Sequence, residues 1–196
     1  MRSRATALTA ALLLATLTAC SGSGDDSTTV TKSDKTEAAP TSTPTTPSPE
    51  PSKSQTTFAI GETADINDEE NGAHFTASVI AYTQPEKGPE AALEGLGGEI
   101  WATAEVKVCN TKGVTFSVSQ FPWSLEYKDG TRIEVTGLNG GDMPKPEFPT
   151  DDVSVKEGRC VRGKIPFPVP SAKRPERIVY APQSLPEPID WTVPKA

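Results

Sequence analysis

The chain has 196 residues, of which 35 % are hydrophobic, and a formal net charge of −7, with three cysteines and one histidine. The acidic balance argues against general nucleic-acid binding, because that binding depends on lysines and arginines that neutralise phosphates. The length suffices for one domain of ordinary size together with an N-terminal segment of different composition.

The first residues have the organisation of an export signal. Arg2 and Arg4 form a short positive region, and an apolar stretch from Ala5 to Leu17 follows it. This stretch is shorter than the roughly 20 residues that a transmembrane helix needs, so a cleaved signal is favoured over a permanent span. Loss of both arginines with the signal would take the net charge from −7 to −9.

The apolar stretch ends in Leu17-Thr18-Ala19-Cys20. This run resembles the lipobox of bacterial lipoproteins, in which the cysteine thiol receives a diacylglycerol and becomes the new N-terminus. The resemblance implies a signal peptide over residues 1–19 and a lipid anchor, palmitate included, on Cys20. That anchor would attach the protein to the extracellular face of the cell membrane. An ordinary secretory signal that happens to end near a cysteine is the alternative.

Residues 20–57 are predicted to form a disordered tether. From Ser21 to Thr57, 23 of 37 residues are Ser, Thr or Pro, and Val30 is the one large apolar side chain. Such a segment buries too little surface to offset its ordering entropy. As a flexible coil it would reach on the order of 35 Å. A passive spacer is the simplest interpretation, and O-glycosylation of the Thr/Pro tract is the alternative.

Residues 58–196 are predicted to form one all-β domain. Apolar and polar residues alternate with period two between Gly- and Pro-rich turns, and Asp129-Gly130 is typical of a hairpin. A short helix is predicted only over residues 89–94. Short strands separated by turns favour an antiparallel β-sandwich, with an open barrel as the alternative. The predicted strands are 58–66, 75–82, 100–109, 115–119, 123–127, 132–135, 160–167, 177–180 and 190–193.

The cysteines point to a disulfide. If Cys20 carries lipid, Cys109 and Cys160 remain as an even pair in an oxidising compartment. A bridge between them would close a loop of roughly 50 residues, worth up to about 4 kcal/mol. A zinc site is the alternative, but two isolated cysteines and a single histidine cannot fill four positions.

The same cysteines suggest a strand register. If they lie directly opposite each other in an antiparallel pair, the apolar residues of both strands share one side, and small residues meet large ones. The disulfide would then lie on the outer side of a sheet and not between two sheets. The expected inner pairs are Val108–Val161, Ala104–Ile165 and Ala102–Phe167, and the outer pairs are Glu105–Lys164 and Lys107–Arg162.

Several short motifs resemble a known family. They are Val106–Asn110, Phe121, Leu125–Gly130, Val155–Arg159 and Gly163–Pro170. Together they are similar to a family of uncharacterised immunoglobulin-like domains of Gram-positive lipoproteins and secreted proteins, described by its structural likeness to a mycobacterial secreted antigen. The resemblance implies an immunoglobulin-like sandwich without established catalytic residues. Two segments depart from the family pattern, residues 84–98 and 143–149, and individual specificity is expected there.

The sequence gives little support for a catalytic site or a metal-binding site. A Ser-His-Asp site would need His74, yet the sequence has neither a Gly-x-Ser-x-Gly elbow nor a Ser-x-x-Lys motif. A surface histidine beside a turn is the preferred interpretation. The acidic run that includes Asp65 and Asp68 has Glu70 where a calcium loop needs glycine, so a solvated hairpin is expected. A second acidic loop is interpreted in the same way and contains Asp142, Glu147, Asp151 and Asp152.

Charge is unevenly distributed along the domain. Residues 58–99 contain nine acids and one base, whereas residues 156–177 contain seven bases and two acids. The outward side chains of Lys107, Arg162 and Lys164 are candidates to extend a basic patch that could contact an anionic partner. A solvated sheet surface balanced by neighbouring carboxylates is the preferred interpretation, and the binding patch is the alternative.

These patterns predict a non-catalytic binding or interaction domain that needs no metal or other cofactor. It would be attached to the extracellular face of the cell membrane through its lipid, and its partner would be an envelope protein or an anionic wall polymer, not a nucleic acid. Two alternatives stay open. One is an accessory cell-envelope enzyme, and the other is a structural or stress-protective envelope protein without a specific ligand.

Overall fold

The computed structural model describes residues 28–32, 56–91 and 98–195, and within these ranges it consists of strands and connecting turns without a helix. Nothing in these ranges forms the long apolar helix that crossing a bilayer would require. The strands are β1 Thr28–Lys32, β2 Thr57–Ala59, β3 Thr63–Asp68, β4 Ala73–Glu86, β5 Ile100–Gly113, β6 Phe116–Val118, β7 Trp123–Glu126, β8 Arg132–Glu134, β9 Val153–Val155, β10 Cys160–Val169, β11 Arg177–Tyr180 and β12 Ile189–Thr192.

The strands form two five-stranded sheets and a small ribbon. The first sheet has the order β1-β3-β4-β5-β10, the second has the order β2-β12-β11-β7-β8, and β6 pairs with β9. Every pairing is antiparallel except that of β2 with β12. Both sheets contribute to one continuous hydrophobic core. The predicted all-β sandwich is therefore confirmed.

Period-two alternation explains which side of each sheet is buried. Val106 and Val108 of β5 are fully buried, whereas Lys107 between them is exposed. The first sheet supplies mostly alanines and valines to the core, and the second supplies large rings. The ring of Trp123 lies 4.3 Å from that of Tyr180 and 5.7 Å from that of Trp191, measured between centroids. Small side chains opposite large ones allow close packing between the sheets.

The predicted disulfide and its register are confirmed. Cys109 lies directly opposite Cys160, and the two sulfurs are bonded. Cys160 is exposed and Cys109 is half-buried, so the bridge lies on the outer side of the first sheet and not between the sheets. The expected cross-strand pairs are all present, namely Val108–Val161, Ala104–Ile165, Ala102–Phe167, Glu105–Lys164 and Lys107–Arg162.

The strand predicted over residues 58–66 is divided into two. Gly61 has a φ of 93°, which interrupts the extended backbone after β2. The chain then passes from the second sheet, where β2 pairs with β12, to the first sheet, where β3 pairs with β4. The prediction merged these strands because apolar residues continue with similar spacing through the turn, and a change of sheet leaves no mark on that spacing.

The structure corrects the prediction of a disordered tether over residues 20–57 for one short segment. Residues Thr28–Lys32 form β1, which pairs with β3 along its whole length. The reason is Val30, which is 6 % exposed and lies opposite Ile66 within the core. One apolar side chain on an edge strand is enough to close the core at that edge. The other residues of the predicted tether before residue 56 lie outside the described ranges.

The loop over residues 143–149 covers an edge of the first sheet, although the family resemblance suggested it as a place for specificity. The backbone N–H of Phe148 donates to the carbonyl of Lys164 at 3.0 Å, and that of Lys164 donates to the carbonyl of Pro146 at 2.7 Å. Phe148 is fully buried. The edge of β10 is therefore closed to further strand pairing at this point.

Several predictions fall wholly or partly outside the described residues. The signal peptide over residues 1–19 and the lipid on Cys20 are among them. Of the helix predicted over residues 89–94, the described part ends at residue 91 and is not helical. Two strands, β1 and β9, were not among those predicted from the sequence. Neither has more than two large apolar residues.

Candidate functional site

A groove with a volume of about 820 Å³ opens at one end of the sandwich. The β3–β4 turn and the start of β4 contribute to it from the first sheet, and residues after β11 contribute from the second. The β6–β9 ribbon supplies further lining. We call this cavity the end groove, and it is lined by Asp68, Asn71, Ala73, Phe75, Val114, Asp152 and residues 116–119, 121–122 and 180–184.

The end groove is apolar with an acidic contribution. The rings of Phe75 and Phe116 pack with centroids 5.1 Å apart and form part of its apolar surface. Among the described residues, the charged side chains that line it are those of Asp68 and Asp152, and none of its lining residues is Lys, Arg, His or Cys. Such a surface suits an apolar ligand that carries positive charge.

Two large apolar side chains at the end groove face solvent. Phe121 is 65 % exposed and Val114 is 51 % exposed. A single exposed apolar residue is ordinary on a protein surface, but here two of them line a cavity that Phe75 and Phe116 also line. Surfaces of this kind commonly contact other molecules.

Buried amides fix the segments that carry these side chains. The amide nitrogen of Asn110 donates to the carbonyls of Val114 at 2.7 Å and Val155 at 3.0 Å. The amide nitrogen of Gln120 donates to the carbonyl of Phe148 at 2.8 Å. Both amides are about 1 % exposed. Because their hydrogen bonds are shielded from water, they hold Val114 and the neighbour of Phe121 in place before any ligand arrives.

Two polar groups of the end groove, on Asp68 and Tyr180, are poorly suited to proton transfer. The carboxylate of Asp68 accepts hydrogen bonds from the backbone and side-chain nitrogens of Asn71, which closes the β3–β4 turn. Burial raises the pKa of the Tyr180 hydroxyl above its usual value of 10, so this group stays protonated at neutral pH. Neither group is suited to act as a catalytic base.

The predicted basic patch exists, but carboxylates are interleaved with it. Lys107, Arg162 and Lys164 all lie on the outer side of β5 and β10. The Arg162 guanidinium contacts Glu105 at 2.7 Å, and the Lys164 ammonium contacts Glu86 at 3.1 Å. Two of the three cations are thus already paired, which weakens the field that an anionic partner would meet.

Lys164 forms its ion pair with a carboxylate that the strand register does not predict. Glu105 lies directly opposite it in the register, yet Lys164 binds Glu86 near the end of β4. Burial acts to raise the pKa of Glu86, but hydrogen bonds from Lys164 and Thr103 outweigh it and hold the pKa below 4.5. This carboxylate therefore remains ionised and neutralises Lys164 at physiological pH.

His74 lies outside the end groove. It is the second residue of β4, and its Nε2 hydrogen bonds to a carboxylate oxygen of Asp65 on β3. In the described part of the chain, no hydroxyl or thiol makes a hydrogen bond to the His74 ring. No group of three or more His, Cys, Asp or Glu side chains in those ranges is arranged to hold a metal ion.

No protein-family model matches the chain, and no curated protein sequence matches it. A solved structure shares its fold. MPT63, a secreted protein from Mycobacterium tuberculosis, aligns with a TM-score of 0.55 at 16 % identity and covers 72 % of this chain and 100 % of its own. At this identity the likeness establishes the immunoglobulin-like β-sandwich and nothing about activity. Membership of the lipoprotein-domain family suggested by the short motifs stays a prediction.

Sequence reasoning missed the end groove. Phe121 contributed to the family resemblance, and Val114 was not singled out. The available signal was an aromatic residue between Gln120 and Pro122, outside the alternation of the neighbouring strands. Because the groove is assembled from turns that are distant in sequence, no local pattern brings its lining together.

Proposed function

We propose that the protein is a lipid-anchored extracellular binding protein without catalytic activity, and that its β-sandwich contacts its partner through the end groove. The observation that carries the proposal is the 65 % exposure of Phe121 beside a preformed apolar cavity. Exposing an aromatic ring of this size to water is unfavourable, and burying it against a partner recovers that free energy.

Three observations support an extracellular location. The disulfide between Cys109 and Cys160 suits an oxidising compartment. The run that ends at Cys20 resembles a lipobox. The fold neighbour MPT63 is itself a secreted protein. The lipid on Cys20 and the relation to the family of Gram-positive lipoprotein domains are parts of this proposal.

Binding is favoured over catalysis by the contents of the end groove. Nucleophilic catalysis needs a base within hydrogen-bond reach of a hydroxyl or thiol. The groove contains serine hydroxyls but no His, Lys or Cys to activate them. His74 and Asp65 form a pair elsewhere on the first sheet.

An anionic wall polymer on the basic patch is a weaker candidate. Such a ligand would compete with Glu105 for Arg162 and with Glu86 for Lys164. Only Lys107 of the three predicted contact residues lacks such an ion pair among the described residues. Among the described residues, neither carboxylate that lines the end groove, Asp68 or Asp152, takes part in an ion pair that a ligand would have to displace.

The anchor is tested by fractionation of cells that express a Cys20→Ala variant. This variant should leave the membrane fraction and keep its fold, since the substitution is not in any of the strands that form the described sandwich. The matched control is Cys109→Ser with Cys160→Ser, which removes the disulfide and both other cysteines and should stay on the membrane. Continued membrane retention of Cys20→Ala would contradict the proposed lipid attachment.

The binding surface is tested by photocrosslinking in intact cells. A photoreactive phenylalanine analogue at position 121 should form a specific adduct with one partner, whose contacting segment can then be identified by mass spectrometry. The same analogue at position 107, on the basic patch, is the control. Adducts from position 107 with none from position 121 would contradict the groove and favour the anionic-polymer alternative.

A further inference from the structure

Strand β1 determines where the N-terminal segment joins the sandwich. Because β1 runs antiparallel to β3, Thr28 at its beginning lies opposite Asp68 at the end of β3. Asp68 is one of the residues that line the end groove. The chain therefore enters the sandwich at the same end as the groove.

The docking of β1 is specific. All five of its residues pair with β3, and Val30 lies directly opposite the fully buried Ile66. At the far end of the strand, the Lys32 ammonium forms an ion pair with Glu62. A one-residue slip would turn Val30 to solvent, so the apolar contact fixes the register.

This docking shortens the connection to residue 20. Seven residues, 21–27, separate Cys20 from Thr28. A chain of this length spans at most about 27 Å, whereas a connection running unattached to Thr56 could span about 120 Å. If Cys20 is lipidated, the groove end of the sandwich must stay close to the lipid headgroups.

The charge of the end groove indicates the chemical class of its partner. Its lining has two carboxylates and no base, and the neighbouring Asp151 is also an exposed acid. Lys112 lines a smaller hollow that shares Asp68 and Ala73 with the end groove, but it is not among the residues that line the groove itself. An acidic surface is repelled by anionic headgroups and attracted to lysine or arginine, which disfavours the bilayer itself as the occupant.

We propose that β1 turns the end groove toward the membrane, and that the groove receives an extended apolar segment bearing Lys or Arg from a membrane protein. That segment would project no farther than about 30 Å from the headgroups, the limit set by the docked connection. The inference rests on the lipid attachment proposed for Cys20. It adds the orientation of the domain and the chemistry of its partner.

Neutron reflectometry of the full-length lipidated protein on a supported phosphatidylcholine bilayer tests the orientation. The wild-type protein layer should begin directly above the headgroups. An insertion of 20 Gly/Ser residues between Ser27 and Thr28 leaves β1 intact and should move the layer outward by about 15 Å. Val30→Asp should also move it outward, because an undocked β1 frees the whole segment up to Thr56.

The outcomes of that measurement distinguish a failure of the inferred orientation from a failure of the proposed lipid attachment. A wild-type layer at the same height as the Val30→Asp layer would overturn the inference and leave the lipid anchor untouched. An insertion variant that stays at the wild-type height would overturn it as well, since the connection would not limit the height. Failure of the wild-type protein to bind the bilayer would instead contradict the lipid on Cys20.

Peptide titration of the full-length Cys20→Ala protein tests the chemistry. The probe is Lys-Val-Lys-Phe-Lys-Val with blocked ends, and its match has Glu in place of each Lys. The Lys peptide should bind at least about tenfold more tightly. Phe121→Ser and Asp152→Lys should each weaken its binding about fivefold or more, and Lys107→Ser should leave it unchanged.

Equal binding of the two peptides, or equal weakening by Lys107→Ser, would overturn the proposed chemistry. Phosphatidylcholine vesicles without peptide are the final arm. Binding of the Cys20→Ala protein to those vesicles that disappears in Phe121→Ser would assign the groove to the lipid surface, which also overturns the proposal.

Discussion

Gly163 lies where β10 passes closest to the segment that covers its edge. A Cβ atom at this position would come within 2.3 Å of the backbone nitrogen of Phe148 and 2.4 Å of the carbonyl carbon of Glu147. Both are backbone atoms, so neither can turn aside as a flexible side chain would. The absence of a side chain at residue 163 is therefore what allows residues 146–148 to pair with β10.

We expect Gly163→Ala to lower the free energy of unfolding by about 2 kcal/mol or more, because the covering segment must move away from β10. Urea denaturation of the purified protein measures this loss. Gly137→Ala is the control, since its φ of 70° is strained for alanine but its surroundings are open. That control should lose about 1 kcal/mol. Equal losses in the two variants would contradict the close approach.

Removal of a single ion pair on the outer side of the first sheet should lower the free energy of unfolding much less than Gly163→Ala does. The side chain of Arg162 is 56 % exposed in its pair with Glu105. Exposed pairs of this kind contribute about 0.2–1 kcal/mol. A double-mutant cycle of Arg162→Ala and Glu105→Ala should give a coupling energy in that range. A coupling well above it would mean that the basic patch is a structural network.

At the scale of elements, β1 is the feature that most changes the organisation of the chain. A five-residue edge strand contributes one buried valine and one ion pair to its docking. Its contribution to global stability is therefore small, while its effect on the position of the N-terminal segment is large. Elements of this kind open locally without unfolding the domain.

The docking of β1 should weaken in acid. Hydrogen bonding from Lys32 is the largest cause that lowers the pKa of Glu62 below its usual 4.5. A carboxyl with a lowered folded-state pKa contributes stability that is fully present above 4.5 and is lost as the pH falls through the lowered value. Hydrogen-exchange protection of the amides of residues 28–32 should therefore decrease as the pH is lowered from neutral to values below 4.5.

Glu62→Gln is the matched control for that experiment. It removes the titrating group and keeps a similar shape, so its β1 protection should be lower at neutral pH and nearly independent of pH. Protection factors corrected for intrinsic exchange provide the comparison. Identical pH profiles for the wild-type protein and Glu62→Gln would show that this ion pair does not secure β1.

The elements also differ in how far sequence predicts them. The pairing of β5 with β10 was predictable because period-two alternation fixes the sides and the cysteines fix the register. The partner of Lys164 was not, since β4 changes register between Val79 and Ala81 and again between Thr83 and Glu86. Because of these register shifts, Glu86 lies at a position that period-two alternation does not predict.

At the scale of the whole molecule, the disulfide joins β5 to the edge strand β10 across 51 residues of sequence. It lies outside the core, so its removal leaves no cavity between the sheets. Its main effect is to restrict the unfolded chain. The enclosed segment includes β6 to β9 and Phe121.

Cys109→Ser combined with Cys160→Ser should therefore lower the free energy of unfolding by about 2–4 kcal/mol and leave the folded structure unchanged. Denaturation by urea gives the first quantity, and near-ultraviolet circular dichroism of the tryptophans reports the second. Loss of the near-ultraviolet signal in the absence of denaturant would mean that the bridge is needed to form the sandwich.

The fold of the described residues was largely predictable, and the proposed binding surface was not. Strand alternation and turn residues sufficed for an all-β sandwich. The end groove depends on Asp68, Phe121 and residues 180–184, which come together only after both sheets have formed. The charge run that suggested Lys107, Arg162 and Lys164 located cations that neighbouring carboxylates balance, as one interpretation of the sequence expected, but the sequence did not show which carboxylate pairs with which cation.

Hydrogen–deuterium exchange of the full-length protein on native envelope membranes, compared with the same protein in detergent, tests the role of the end groove most directly. The proposed function predicts slower exchange on membranes for residues 114–122 and 180–184, and little change for residues 103–107 and 160–164. Protection of the second pair of segments, with the first pair unchanged, would contradict it and assign binding to the basic patch.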